Sequence, residues 1–127
     1  MKISVNWIQD FVKLSPPVED VADRLTMAGL EVKKVDSWQN KKDTLFEIEV
    51  TSNRPDWLSH LGVAREISAV ENLSLRIPDV DKTQNRPMPG WKINIKEAEG
   101  CPYYSGVLIE GLNLLPTPDF IRERLEA

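Results

Sequence analysis

Side chains that could do chemistry are few and scattered in these 127 residues. Cys101 is the only cysteine and His60 the only histidine. One of each, far apart in sequence, cannot build a standard zinc site, and a lone cysteine excludes an intrachain disulfide. A Cys–His nucleophile pair is the one covalent chemistry open to them. Against it, Cys101 precedes Pro102 and lies between two strand-like runs, with no helix N-terminus to lower its pKa, so a structural thiol is the favoured reading. Glu47 and Glu49 sit on one strand face at i and i+2 with no evident partner acid, base or metal ligand, and they read as its wet side. No catalytic, cofactor-binding or metal-binding residue is assigned.

Recognition chemistry is better represented. In Asn53-Arg54-Pro55-Asp56, Arg54 could contact a nucleic-acid phosphate or a neighbouring subunit. A purely local reading is simpler, because Asn53 tolerates the turn, Pro55 fixes φ, Asp56 caps the following helix and Arg54 pairs nearby. Arg65 beside Glu66 reads as a solvated pair, with a phosphate contact as its sharper alternative. Lys33, Lys34, Lys41 and Lys42 form the densest basic cluster, diluted by Asp36 and Asp43. They are either a nucleic-acid patch or a soluble turn. Of the four tryptophans, Trp7 and Trp57 are expected in the core, and Trp38 packs a hairpin end or stacks on a base.

The elements that must position these residues follow from periodicity. Lys2 to Val12 reads as a short extended start and a helix, with Val5, Ile8 and Val12 on one face. Ser15 is expected to cap a second helix with Pro16 in its first turn, Glu19 and Asp20 complementing the dipole, and Gly29 as its left-handed stop. Two strands, Leu30 to Trp38 and Leu45 to Val50, flank the polar turn Gln39 to Asp43 and predict an antiparallel hairpin. From Trp57 to Asn72 the spacing is helical, and Gly62 makes a short turn plus a longer helix as acceptable as one rod.

Residues 79 to 90 are rich in proline and polar residues and read as a linker. Beyond it, Trp91, Ile93 and Ile95 alternate with polar residues, Tyr103 to Leu112 reads as another strand, and Thr117-Pro118-Asp119 opens a helix. Two strands and a helix do not close a core, so residues 91 to 127 look like part of a larger unit that would dock on the first module or self-associate. The expected class is α+β: a helical module with an antiparallel hairpin, winged-helix-like in outline, followed by a partial β-rich segment.

Composition bounds the partners. Apolar residues are 41% of the chain and charged residues 28%, as in a soluble globular protein. No apolar run reaches the ~20 residues that span a bilayer, and the start carries Asp10 where a signal peptide needs an unbroken apolar stretch, so a cytoplasmic setting is expected. Net charge is −4; residues 1 to 78 carry 10 basic and 12 acidic groups, residues 79 to 127 carry 6 and 8. Neither half has the footprint of an autonomous nucleic-acid binder.

One stretch is richer than periodicity explains. Leu45 to Ala69, LFEIEVTSNRPDWLSHLGVAREISA, resembles a signature of the β subunit of bacterial-type phenylalanyl-tRNA synthetase (phenylalanine–tRNA ligase), in which a strand of the form EIEVT runs into NRPD and then a helix near LGVAREI. The opening KISVNWIQDFV and the string LTMAGLEV resemble the first residues of that family in type and order. Glu99-Gly100-Cys101-Pro102-Tyr103-Tyr104 and Pro116-Thr117-Pro118 resemble the entry to its editing domain. There are departures. The family usually carries an OB-like tRNA-binding domain between the GLEV and EIEVT strands, where only Lys33 to Thr44 stand here; the insert is either naturally absent or removed. Ser52 stands where proline is common, and Trp57 where a small residue is common.

The resemblance implies an α2β2 ligase of protein biosynthesis whose α subunit holds ATP, magnesium and phenylalanine, while the β subunit contributes tRNA contacts, assembly surfaces and an editing site formed beyond Ala127. This chain would then be a structural N-terminal module (1–78), a linker (79–90) and the start of the editing domain (91–127), inactive alone and without a cofactor of its own. Its expected partners are the α subunit, the rest of the β subunit and, weakly or indirectly, tRNA. The rival from another class is a small winged-helix-like nucleic-acid-binding or regulatory module, against which the acidic charge and the lack of a basic recognition helix count.

Overall fold

Phe46 and Ile48 on one face, with Leu45 between polar neighbours on the other, make the central strand of the protein. In the computed structural model, which describes residues 1–39, 42–79 and 90–127, strand β3 (Asp43–Ile48) lies between β1 (Lys2–Ser4) and β2 (Val32–Trp38), antiparallel to both. Ile3 pairs with Phe46 and Val35 with the same residue from the other side. The chain start is thus a full member of the sheet, which its three residues could not announce. Between Val32 and Lys34 the register slips, a bulge that places Lys33 as the extra residue.

Ser4 ends β1 and starts α1 (Val5–Ile8), its hydroxyl accepting from the Trp7 N–H at 3.1 Å. Helix α2 (Val18–Met27) buries Val21, Ala22 and Leu25. Its cap is Pro17, without a side-chain hydrogen bond, rather than Ser15: the Pro16-Pro17 pair holds the chain extended for two further residues. The helix stops at Gly29, which adopts φ +105 as expected of a left-handed terminator. Pro55–Trp57 forms a single 3-10 turn, and α3 (His60–Glu71) follows, buried along Val63, Ala64 and Ile67. Its end is Asn72 at φ 52, a residue that tolerates the left-handed region better than most.

Ile3, Ile8, Val21, Leu25, Leu30, Phe46, Ile48, Trp57, Val63 and Ile67 form one core joining the sheet to α1, α2 and α3. Full burial of each large apolar side chain contributes about 1.5–3 kcal/mol. The antiparallel sheet and the four helices among the described residues establish the α+β class.

The chain divides into two units, Met1–Asp79 with Thr117–Ala127, and Val80–Pro116. The first contains all the elements above together with α4 (Asp119–Glu126). In the second, the described residues contain no strand. Ile93 and Ile95, and Tyr103 to Leu112, alternate as the sequence suggests, yet no ladder hydrogen bond forms along either run. The linker expected at 79–90 lies outside the described residues except at its ends, as do Asn40 and Lys41 of the hairpin turn.

Candidate functional site

The Asn53–Asp56 motif is placed by the end of the sheet on one side and the start of α3 on the other. Its arginine is engaged locally. Arg54 meets Asp56 in a fork, Nε to Oδ1 at 3.0 Å and an outer nitrogen to Oδ2 at 2.8 Å, and donates to Glu66 Oε2 at 3.0 Å. Its guanidinium carbon lies 3.5 Å from the centroid of the Trp57 ring, and the Trp57 indole N–H donates to the same Glu66 oxygen at 3.0 Å. The hydrogen bond from Arg54 holds the Asp56 carboxyl below its ordinary value and raises the already high value of the guanidinium. One planar cation therefore ties the turn to the second turn of α3 by charge, hydrogen bonds and stacking together.

Gly62 sets how closely that turn approaches the helix. A Cβ built there would stand 1.8 Å from the Asp56 carbonyl oxygen, so only glycine lets backbone pass backbone at this point. The helix cap is Ser59, whose Oγ accepts from Gly62 N–H at 3.0 Å. Asp56, expected to be the cap, lies three residues upstream in the 3-10 turn and spends its carboxylate on Arg54. Glu66, expected to pair with Arg65 in solvent, instead takes Arg54 and Trp57; Arg65 is exposed, without an ion pair among the described residues.

A second constellation centres on His60, the first residue of α3. Its Nε2 accepts the Ser4 N–H at 3.1 Å, so the proton of the neutral ring is on Nδ1. The imidazole stacks on Trp7 with centroids 4.0 Å apart and planes at 23°. Ser4 Oγ donates to Asp43 Oδ2 at 2.5 Å, and Asp43 also accepts the N–H groups of Asn6 and Thr44. Arg124 of α4 lies over the other partner in this stack, 5.0 Å from the Trp7 centroid, and pairs with Asp10. Burial, and then the Arg124 charge, push the His60 pKa down against the opposing pull of Asp43. Trp7 is thus only half-buried, not a core residue, and His60 is tied up as an acceptor. That the lone histidine was His60 was visible in the sequence; that it would reach the backbone of residue 4 was not.

Two of the four clustered lysines have acidic partners. Lys33 pairs with Glu49 and Lys34 with Asp36, the latter partner raising the Lys34 pKa through its hydrogen bond. Lys42 is exposed, its carbonyl accepting from Asn6 Nδ2 at 2.7 Å, and Lys41 lies outside the described residues. Asn53 and Pro55 are exposed turn residues. Cys101 donates its thiol to the Tyr103 carbonyl at 3.5 Å. Among the described residues no cluster of His, Cys, Asp or Glu is arranged to hold a metal ion, and no helix is long and apolar enough to cross a membrane.

These features define a class: a small α+β module in which Arg54, Asp56, Trp57 and Glu66 clamp a strand–turn–helix joint. No family model matches the chain. Relatives do. The chain is 30% identical over 129 residues to the phenylalanine–tRNA ligase β subunit of Rhodopirellula baltica, matching all of this chain and 19% of that protein. It is 44% identical over 85 residues to the β subunit of a Synechococcus strain and 41% identical over 87 residues to that of Chlorobium chlorochromatii, in each case about two thirds of this chain and 10% of the relative. By sequence the chain is thus a relative of the phenylalanine–tRNA ligase β subunits and corresponds to a piece of one, spanning a tenth to a fifth of the length of the curated relatives it matches. The Rhodopirellula alignment takes 129 positions for 127 residues, which leaves no room in that stretch of the relative for a domain-sized insert.

Proposed function

We propose that this chain is the N-terminal structural module of a phenylalanine–tRNA ligase β subunit, serving ATP-dependent attachment of phenylalanine to tRNA without carrying the catalytic or editing site. The observation that carries the reading is the whole-length similarity to a named β subunit, in a chain whose motif residues are consumed in holding a joint. In this reading residues 1–78 brace the β subunit, 79–90 connect, and 91–127 begin the editing domain. ATP and magnesium belong to the α subunit, and tRNA meets this piece weakly or indirectly, because Lys33 and Lys34 are already paired and the net charge is −4. The enzyme would work in the cytoplasm. Arg65 and Lys42, exposed and without ion pairs among the described residues, are the side chains most available for subunit or phosphate contacts. The test is phenylalanine-dependent ATP–pyrophosphate exchange. The purified chain alone should give the buffer value, and a β subunit containing it should support exchange when combined with its α subunit. Exchange by the chain alone overturns the proposal.

A further inference from the structure

Helix α4 is lightly held. Phe120 is 61% exposed and Leu125 79% exposed, and no residue of the helix is fully buried. Arg122 is used locally, on Asp119. What reaches the rest of the unit is Arg124, and the place it reaches is specific: an indole face (Trp7) beside a carboxylate (Asp10), the pairing of flat surface and fork acceptor that suits a guanidinium and not an ammonium. Trp7 also bears the His60 ring, so a single indole connects the arginine to the histidine.

The histidine in turn is committed to one protonation state. While Nε2 is bare it accepts the Ser4 N–H at the β1–α1 junction. A proton on Nε2 turns that acceptor into a donor facing a donor, and puts a second cation against the ring that Arg124 occupies. The charges that act on His60 are Arg124 from α4 and Asp43 from β3; with Asp10 just after α1, Lys42 and Glu123 they line a cleft of about 270 Å³ that includes its stacking partner Trp7. Asp43, bonded to the neutral donors of Ser4, Asn6 and Thr44, keeps its charge and favours the imidazolium, against burial and the Arg124 charge, while Asp10 is paired with Arg124.

We propose that the Trp7–Asp10 surface is an arginine-recognising seat filled by Arg124 of α4, and that a proton on His60 and an arginine in the seat oppose each other, so that acidification releases α4. Linkage makes the effect reciprocal: a docked α4 makes His60 harder to protonate, and a protonated His60 weakens docking by the same factor. The occupant is the chain's own helix, and the seat becomes available to another arginine-bearing segment when α4 leaves.

Two readings on the full chain test this by NMR. The His60 ring protons are titrated in the wild type and in Arg124→Gln. The variant should titrate higher, because the opposing cation is gone; an unchanged midpoint overturns the proposal. The α4 amide signals are then followed against pH, with a peptide of residues 117–127 as the undocked reference. In the wild type they should move toward the free-peptide positions as His60 titrates, and in His60→Gln, which keeps an acceptor but takes no proton, they should stay. An equal pH response in both proteins, or none in the wild type, contradicts it. If His60→Gln does not fold, the Arg124→Gln titration decides alone.

Discussion

Residues 43–48 and residues 91–95 carry the same kind of pattern and meet different fates. In β3, Phe46 and Ile48 are buried, Phe46 and its partner Ile3 completely so, because β1 and β2 flank the strand and three helices cover that face. In the second unit, Trp91 is 67% and Ile93 54% exposed, and further along Val107 is 87% and Leu112 79% exposed, with no strand formed among the described residues. Alternation says which face a strand would bury; it does not supply the neighbouring strand whose N–H and C=O groups complete the ladder or the layer that removes the apolar face from water. The contrast teaches that the pattern is a necessary condition and that the covering layer is the deciding one.

Breaking the covered region should be costly. Phe46→Ala, which empties a site packed by both flanking strands, should cost about 4 kcal/mol, read as a shift in the urea midpoint at constant slope. Gly62→Ala should cost about 3 kcal/mol, since its Cβ meets a backbone carbonyl at 1.8 Å that cannot swing aside as a side chain can. A Gly62→Ala protein as stable as the wild type would mean that the joint between the 3-10 turn and α3 is slack.

Acid should reveal the same region through His60. Its folded pKa is depressed, chiefly by burial and next by Arg124, while the unfolded chain titrates near 6.5. Above about pH 6.5 the neutral ring is the form in both states and stability is full. As pH falls below that value the unfolded state binds the proton first, so stability declines until the folded midpoint is passed. Melting temperatures between about pH 7.5 and 5.5 should fall more steeply for the wild type than for His60→Gln; parallel curves would remove His60 as the cause. The smallest effect belongs to the uncovered region, where Leu112→Ala should change stability by less than about 0.5 kcal/mol.

Local signals in the sequence were reliable where the cause was local. The apolar face of α2, the stop at Gly29, the hairpin of β2 and β3 and the break before α3 all follow from residues within a turn or two of one another. Ser15 and Asp56 fail as caps for a related reason: both are good cap residues, but Pro16-Pro17 and Ser59 set where the helices begin. The remaining features depend on distance. β1 joins β3 across more than forty residues, Arg54 finds Glu66 twelve positions on, and His60 finds Ser4 fifty-six positions back; no period in the sequence encodes such meetings. The motif strings were legible as a family resemblance, and the relatives bear that out, whereas the use of Glu66 and Gly62 within the motif needed coordinates.

Hydrogen exchange on the intact chain, resolved by residue, tests the contrast between the two regions most directly. Slow exchange is predicted for amides of β3 and the buried face of α3, where burial and ladder or helix bonds coincide, and exchange near the intrinsic rate for residues 91–95 and 103–112. Protection at alternate amides of Ile93, Ile95, Val107 and Ile109 comparable to that of Phe46 would show a formed and covered sheet there, and would contradict the claim that alternation alone does not make a strand in this chain.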